Sequence, residues 1–468
     1  MQAKVVVIRK LDIYQPTMDD LGGYEAISTD KYKELRLQYF KSPHDDFVTN
    51  QSLHFPVVLL KDGTPWSDAN RFLLHKAKGI NPAKHRTLDS IARDLVSFRR
   101  WIDEENINYM LFPKRVMARP TYQYCSYLHD EIRNKKIAIG TAKRRMSSIQ
   151  GFYRWMKLTG TVFEHPLWRE GDAYILFKDR HGFSQSKNIT TTDLTKSFKH
   201  TKNTNNYSEY IDDGGKLRPL PKDEQYALVN ALKSISNIEM MLSFLIALTT
   251  GARLQTVFTL RKQNFEMHLP DSSAYRRIKV GNGTLVDTKF GKQMVILIPS
   301  WLYRRVQLYL ACERYNTRNR RSPHIYKEQS EQYIFLTRAG KPYYMANNDP
   351  YASIYRIPPR GNAITQFIRQ QLKPLLTRSE TIFEIRFHDL RATFGMNLLE
   401  EKTNESVPAL HDDINKPDYF SILMHVRERM GHSNITTTEK YLNYRKNFKI
   451  AIQVQSEYEI YLENLLQE

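Results

Sequence analysis

Cysteine is almost absent from this chain of 468 residues: Cys125 and Cys312 are the two it has. So few, so far apart, exclude a disulfide framework and a Cys-rich zinc site. Both read as ordinary reduced thiols, one of them packed in a helix. Missing too is any hydrophobic run of the roughly 18 residues that a membrane span needs. The best candidate, Met240 to Thr250, is bounded by Glu239 and Arg253 and reads as a buried core helix. The start, Met1-Gln2-Ala3-Lys4-Val5, lacks the apolar stretch and small-residue cleavage site of a signal peptide. The expected location is therefore the cytoplasm, which in a bacterium is the compartment of the nucleoid. There is no internal repeat, no low-complexity tract and no GxxxxGK[ST] loop, which argues against an ATP-driven motor of the P-loop kind.

What the chain has in excess is positive charge. Lys and Arg number 70 against 50 Asp and Glu, a formal net charge of +20. Such an excess marks a polyanionic partner, bound through release of counterions from a phosphate backbone. A cationic membrane-surface protein is the competing reading.

The length suits two or three domains. Residues 1–82 mix β-like runs (Val5-Val6-Val7-Ile8 and Phe55 to Leu60) with turn signals such as Asp62-Gly63-Thr64-Pro65, and carry no assignable chemistry. From Thr87 the period becomes helical, with Leu88, Ile91, Ala92, Leu95, Phe98, Trp101 and Ile102 on one stripe. Two further helices are expected, Pro120 to Arg133 and one after Gly140, making residues 83–165 a small helical domain. Its basic edge holds Lys135, Lys136, Lys143, Arg144 and Arg145. A solvated helix face is the ordinary reading of such a charge run; the global excess tilts it towards phosphate contact. Residues 166–216 are polar and irregular, including Asp212-Asp213-Gly214-Gly215, and read as an extended linker. A new unit starts where Leu220-Pro221-Lys222-Asp223 signals a helix. It extends over 217–450, ahead of an apolar-studded tail, 451–468. The expected class is mainly α with a small β-hairpin in the 217–450 unit, an α+β fold.

Several segments of that unit carry chemistry. The helix ending at Thr250 breaks at Gly251, which puts Arg253 at the entrance of the next helix, where a guanidinium can grip a phosphate bidentately. Two β-like runs, Arg277 to Val280 and Met294 to Ile298, form a hairpin with Lys289 and Lys292 near its tip. A lysine there can reach a DNA groove or protonate a leaving oxygen, or can simply be solvated. Phe387 to Leu399 reads as a helix with Leu390, Phe394 and Leu398 in register for burial. His388 and Arg391, three apart, share one face and can address one phosphate. Gly431 ends another helix, and a next one begins at Asn434 or Thr436, where Thr436-Thr437-Thr438-Glu439 has the capping-box pattern. That places His432 in a turn and Tyr441 in a helix just beyond. With 28 tyrosines in the chain, Tyr441 or Tyr444 could equally be core packing.

Singly, each feature is weak. In order, Arg253, Lys289, His388-x-x-Arg391, Gly431-His432 and Tyr441 resemble the catalytic domain of the tyrosine recombinase (phage integrase) family, over roughly residues 217–450. The helical unit resembles that family's core-binding domain in pattern alone, and residues 1–82 lie outside the match as an extra arm-DNA-binding or dimerising module. The resemblance implies a two-domain clamp on double-stranded DNA. Tyr441 would attack a phosphodiester, giving a 3′-phosphotyrosyl link and a free 5′-hydroxyl that later attacks another strand's link. No cofactor and no metal are implied. Arg253 and Arg391 would neutralise the growing charge, Lys289 would protonate the leaving oxygen, His388 would assist the tyrosine or orient the phosphate, and His432 would bond the phosphate. One departure is that the carboxylate often found three residues after the first arginine is Thr256 here. A tetramer on two DNA sites is expected, with the C-terminal tail exchanged between protomers. The specific expectation is a recombinase or integrase of a mobile element. Alternatives are a type IB topoisomerase, a telomere resolvase, or a catalytically idle DNA-binding protein of the same fold.

Overall fold

The computed structural model describes residues 2–12, 15–17, 38–40, 51–78, 83–178, 184–194, 198, 210–268, 273–347, 349–378, 384–406, 417–445 and 459. Two compact units emerge, one of residues 1–175, 186–202 and 353–357, the other of 176–185, 203–352 and 358–468.

In the first unit, β1 (Lys4–Asp12) pairs antiparallel with β4 (Gln51–Leu59), from Lys4 opposite Leu59 to Asp12 opposite Gln51. Both β-like runs of the N-terminal segment lie in this ribbon. Short strands β2 (Gln15–Thr17) and β3 (Gln38–Phe40) pair with each other. Four helices follow: α1 (Ser67–Lys78), α2 (His85–Glu104), α3 (Pro120–Arg133) and α4 (Ile139–Leu158). The expected stripe of α2 is inside, Leu88, Ala92, Leu95, Phe98, Trp101 and Ile102 all being buried. Pro120 sits in the first turn of α3, where a missing N–H costs nothing. Ala3, Phe55, Val58 and Trp66 share one core with the helices, so the ribbon is built into the helical unit instead of standing apart as a separate module.

Residues 166–216, expected to be an extended linker, contain four strands. β5 (Glu170–Lys178) pairs with β6 (Ser184–Thr192), and β7 (Ile211–Asp212) pairs with β8 (Lys216–Leu217) across a tight turn. Composition misled because six of the nine β6 residues are exposed, the buried one being Thr192 at its end. Pairing there satisfies backbone groups without burying a face.

The second unit contains α5 (Lys222–Ile235), α6 (Ile238–Thr250), α7 (Leu254–Phe258), the ribbon of β9 (Tyr275–Val280) with β10 (Met294–Pro299), then α8 (Ser300–Ala311) and α9 (Glu313–Arg320). A helix over 362–378, α10, contains a π-helical turn at Ile368–Leu372. It is followed by α11 (Asp389–Ser406), α12 (Pro417–Met430) and α13, residues 435–445. Helix α6 starts where the Asn237 side chain accepts the Met240 N–H, and it buries Met240, Leu242, Phe244, Ile246 and Ala247. A second cluster joins Ile211 and Leu217 of the β7–β8 hairpin to Phe394, Val426, Met430 and Tyr441. The architecture is the expected one, mainly α with small antiparallel ribbons.

Two local expectations shift, and the tail lies outside the described residues apart from one position. Helix α11 begins at Asp389, so His388 stands just before it and not within it, and the Arg391 N–H bonds the His388 carbonyl at 3.2 Å. Helix α13 begins at residue 435, the start expected from Asn434, which leaves Thr436 inside it and not at a capping box. Of the tail, 451–468, only Glu459 is among the described residues. Cys125 is buried in α3 and Cys312 half-buried, and neither is joined in a disulfide.

Candidate active site

Four chain segments meet at one buried carboxylate. The first is the β7–β8 turn, which carries Asp213. The second is the break between α6 and α7, where Gly251 takes a φ of +65° and its N–H bonds to the Ala247 carbonyl at 2.9 Å. A Cβ on Gly251 would lie 2.5 Å from Cδ1 of Phe394, so a side chain is excluded by both conformation and space. The chain then re-enters helix with Arg253 as the N-cap of α7, the placement expected from Thr250-Gly251-Ala252-Arg253. The third segment is the first turn of α11, where Arg391 is buried; Leu390, Phe394 and Leu398 are buried along the helix as their spacing requires. The fourth is the turn from Gly431 into α13, with His432 and Tyr441.

Asp213 is the common acceptor. Its Oδ2 accepts from Arg391 Nε at 2.9 Å, from His432 Nε2 at 3.1 Å and from the Tyr441 hydroxyl at 3.1 Å. Arg253 Nη2 donates to Oδ1 at 3.4 Å. Arg391 spends its other two arms on backbone, Nη1 on the Gly251 carbonyl at 2.8 Å and Nη2 on the Met430 carbonyl at 2.7 Å. Because a carboxylate can only accept, His432 carries its proton on Nε2, and its Nδ1 accepts from the Thr438 hydroxyl at 2.9 Å. Asp213, Arg391, His432, Thr438 and Tyr441 are all buried.

Burial alone would raise the Asp213 carboxyl, but the His432 hydrogen bond and the Arg391 charge outweigh it and hold the group well below the usual carboxylate range. Burial and the Arg391 charge bring Arg253 down to about 10, which still leaves it cationic at neutral pH. His388 is lowered to about 4 by burial and then by Arg253 and Arg391, so its imidazole is neutral. Tyr441 is pushed far above the ordinary phenol range by burial and by the adjoining Asp213 charge.

The remaining sequence candidates border this centre. Lys289 lies on the 3-10 turn Lys289–Gly291 between β9 and β10, and a Cβ on Gly214 would be 2.9 Å from its Nζ. Lys292 Nζ donates to the Gly431 carbonyl at 3.0 Å, and burial together with the nearby Arg427, Arg253 and Arg391 lowers it. Both hairpin lysines thus edge the same site. Thr256 is buried in α7 and brings no carboxylate. In the first unit, Lys135 and Lys143 lie at the α3–α4 turn and the start of α4, as does Arg145. Lys136 bonds Glu131 at 2.9 Å, and Arg144 Nη1 is held by Asp94 at 2.7 Å and by the Ser90 hydroxyl at 2.6 Å. Arg144 therefore ties α4 to α2, a use its place in a basic run does not announce.

Sequence reasoning missed Asp213 and Thr438. The Asp212-Asp213-Gly214-Gly215 pattern signals a turn, but its partners are far along the chain. Among the described residues no group of three or more His, Cys, Asp or Glu side chains is placed to hold a metal ion, and no helix is long and apolar enough to cross a membrane.

No family model matches the chain, and no curated protein matches it. Solved structures similar to it include the XerH site-specific recombinase bound to palindromic difH substrate in a post-cleavage complex, at 14% identity over 81% of this chain and 82% of that one, TM-score 0.44. The Tn1549 transposon integrase in complex with circular intermediate DNA is 14% identical over 79% of this chain and 94% of that one, TM-score 0.43. A lambda integrase dimer bound to a COC′ core site is 14% identical over 81% and 95%, TM-score 0.44.

Proposed function

We propose that this chain is a tyrosine-type site-specific DNA recombinase that cuts and rejoins double-stranded DNA for the integration or excision of a mobile element. The observation that carries the reading is the convergence of two arginines, a histidine and a tyrosine hydroxyl on one buried anion. A phosphodiester offers the same acceptor chemistry: two non-bridging oxygens sharing one negative charge.

With a scissile phosphate in that position, the Tyr441 oxygen attacks phosphorus, the bond to the 5′ oxygen breaks, and the products are a 3′-phosphotyrosyl link and a 5′-hydroxyl. Arg253 and Arg391 face the non-bridging oxygens, where charge accumulates in the transition state. His432 donates from Nε2 to the same phosphate, its ring fixed by Thr438. His388, neutral, can accept the tyrosine proton or orient the phosphate. Lys289 supplies the proton to the leaving oxygen. The second step is the same displacement run backwards with another strand's 5′-hydroxyl, so the phosphodiester energy is retained throughout. Lys135, Lys136, Lys143 and Arg145 are assigned to backbone contact with DNA. Exchange between strands calls for a tetramer on two duplexes.

The test uses nicked suicide duplexes covering the ends of the element that encodes the chain. Wild type should form an SDS-resistant protein–DNA adduct and Tyr441→Phe none. Arg391→Ala should lose cleavage by at least about a hundredfold, the scale of losing a transition-state donor, while keeping most DNA affinity. An adduct that persists in Tyr441→Phe overturns the assignment of the nucleophile. A single-duplex reaction that relaxes supercoils with no exchange between two duplexes would favour the topoisomerase alternative.

A further inference from the structure

Asp213 occupies the position that the proposed reaction reserves for DNA. Its two carboxylate oxygens take a donor from Arg253, Arg391 and His432 and the hydroxyl of Tyr441, the groups assigned to the scissile phosphate. Carboxylate and phosphodiester each carry one negative charge over two oxygens, so they compete for the same donors and cannot both be seated. From this geometry we infer that Asp213 is a built-in phosphate surrogate, an autoinhibitory plug that closes the catalytic site of the DNA-free protein and is expelled when the scissile phosphate enters. The inference rests on the recombinase reading of the same site.

The carrier of the plug is built for such a movement. It is a hairpin held by two residue pairs, Ile211 opposite Leu217 and Asp212 opposite Lys216. Its tip turns through Gly214 and Gly215, at φ of +72° and +154°, closed by an Asp213 N–H to Gly215 carbonyl bond of 3.1 Å. Ile211 and Leu217, the two ends, are anchored in the apolar cluster that also holds Tyr441. The tip can therefore swing out while its ends stay fixed. Outside the site, Lys440 Nζ holds the Asp212 carbonyl at 3.0 Å and its carboxylate at 3.4 Å. Lys289 Nζ also approaches the tip, 2.9 Å from where a Cβ on Gly214 would lie. The plug has a second effect: it neutralises two arginines that would otherwise face each other without an anion, and so keeps the donors assembled until DNA arrives.

The opposing account is that Asp213 remains in place on DNA and buttresses Arg391, in lieu of the carboxylate missing at Thr256. Asp213→Asn separates the two. A plug predicts that this variant binds the nicked duplex roughly ten- to a hundredfold more tightly than wild type, the scale of releasing a charge-assisted contact, and forms the adduct no more slowly. A buttress predicts unchanged affinity and slower adduct formation, which would overturn the inference. Inorganic phosphate titrated into the free protein provides a readout independent of strand cleavage. It should bind Asp213→Asn at least about tenfold more tightly than wild type, and Arg391→Ala in the same background should remove the gain. Equal phosphate binding in wild type and Asp213→Asn overturns the plug even if wild type cleaves DNA. If wild type forms no adduct, the recombinase reading falls and the phosphate titration alone decides the plug. Should Asp213→Asn fail to fold, hydrogen exchange on wild type decides: the amides of 210–217 should lose protection when the nicked duplex binds, and gained or unchanged protection would overturn the inference.

Discussion

Helix α11 approaches the proposed nucleophile through Gly395, and this contact gives a sharp test of whether packing positions Tyr441. A Cβ on Gly395 would lie 2.7 Å from Cε1 of Tyr441, 2.7 Å from Sδ of Met430 and 3.0 Å from its Cε. Non-bonded carbons settle at about 3.5–4.0 Å, so Gly395→Ala demands roughly 1 Å of extra room. Two energies oppose each other. Alanine in a helix interior gains about 1 kcal/mol over glycine, and overpacking a closed core costs about 1–3 kcal/mol. The Met430 thioether can turn aside, but the Tyr441 ring is fully buried and tied by its hydroxyl to Asp213. The net change in stability should therefore be a loss of no more than about 2 kcal/mol. Displacing the nucleophile by about 1 Å should cost about a hundredfold in rate. Urea unfolding measures the first quantity, and single-turnover adduct formation on a suicide duplex the second. A variant that is more stable than wild type and cleaves at full rate would refute the idea that α11 sets the position of Tyr441.

Two further outcomes follow from the buried charges. Asp349 accepts from the hydroxyls of Tyr333 at 2.5 Å and Tyr326 at 2.8 Å and pairs with the buried Arg261 at 3.3 Å. Asp349→Ala leaves that guanidinium without its counter-charge and should cost about 3–5 kcal/mol in urea unfolding, whereas Asp349→Asn should cost less. His388, held at about 4 by burial and by Arg253 and Arg391, binds fewer protons folded than unfolded between that value and its ordinary 6.5. Stability should thus fall as pH drops from 6.5 towards 4, and the fall should be shallower in His388→Gln. Equal slopes in the two proteins would contradict the lowered histidine.

Much of the fold was legible because it is local. The α2 stripe, Pro120 opening α3, the break at Gly251 and the stop at Gly431 each follow from spacing or backbone preference within a few residues, and each stands where the chain pattern puts it. The ordered arginine, histidine and tyrosine segments likewise pointed to residues that meet. Asp213 was illegible for the opposite reason. Its partners lie 40 residues away at Arg253, 178 at Arg391 and 228 at Tyr441, and nothing local to Asp212-Asp213-Gly214-Gly215 distinguishes a plug from a solvated turn. Thr438 illustrates a third case: it lay inside a local motif that was read for capping, and nothing in that motif signals that its hydroxyl bonds His432.

The guanidinium of Arg391 joins the carbonyl ends of two helices, at Gly251 after α6 and at Met430 closing α12, while its third arm meets Asp213. Helix C-termini attract cations, and a planar fork can serve three directions where an ammonium cannot. Architecture alone thus demands arginine at this position, whatever chemistry the site performs. A relative with no strand-cleaving activity would still keep Arg391, since removing it leaves the Gly251 and Met430 carbonyls without this donor. The Tyr441 hydroxyl joins no helix end: it binds the Asp213 carboxylate, and phenylalanine fills the same apolar space at the loss of that one bond. Among relatives, tyrosine or phenylalanine at this one position should therefore separate working enzymes from silent ones, and retention of the arginine should not.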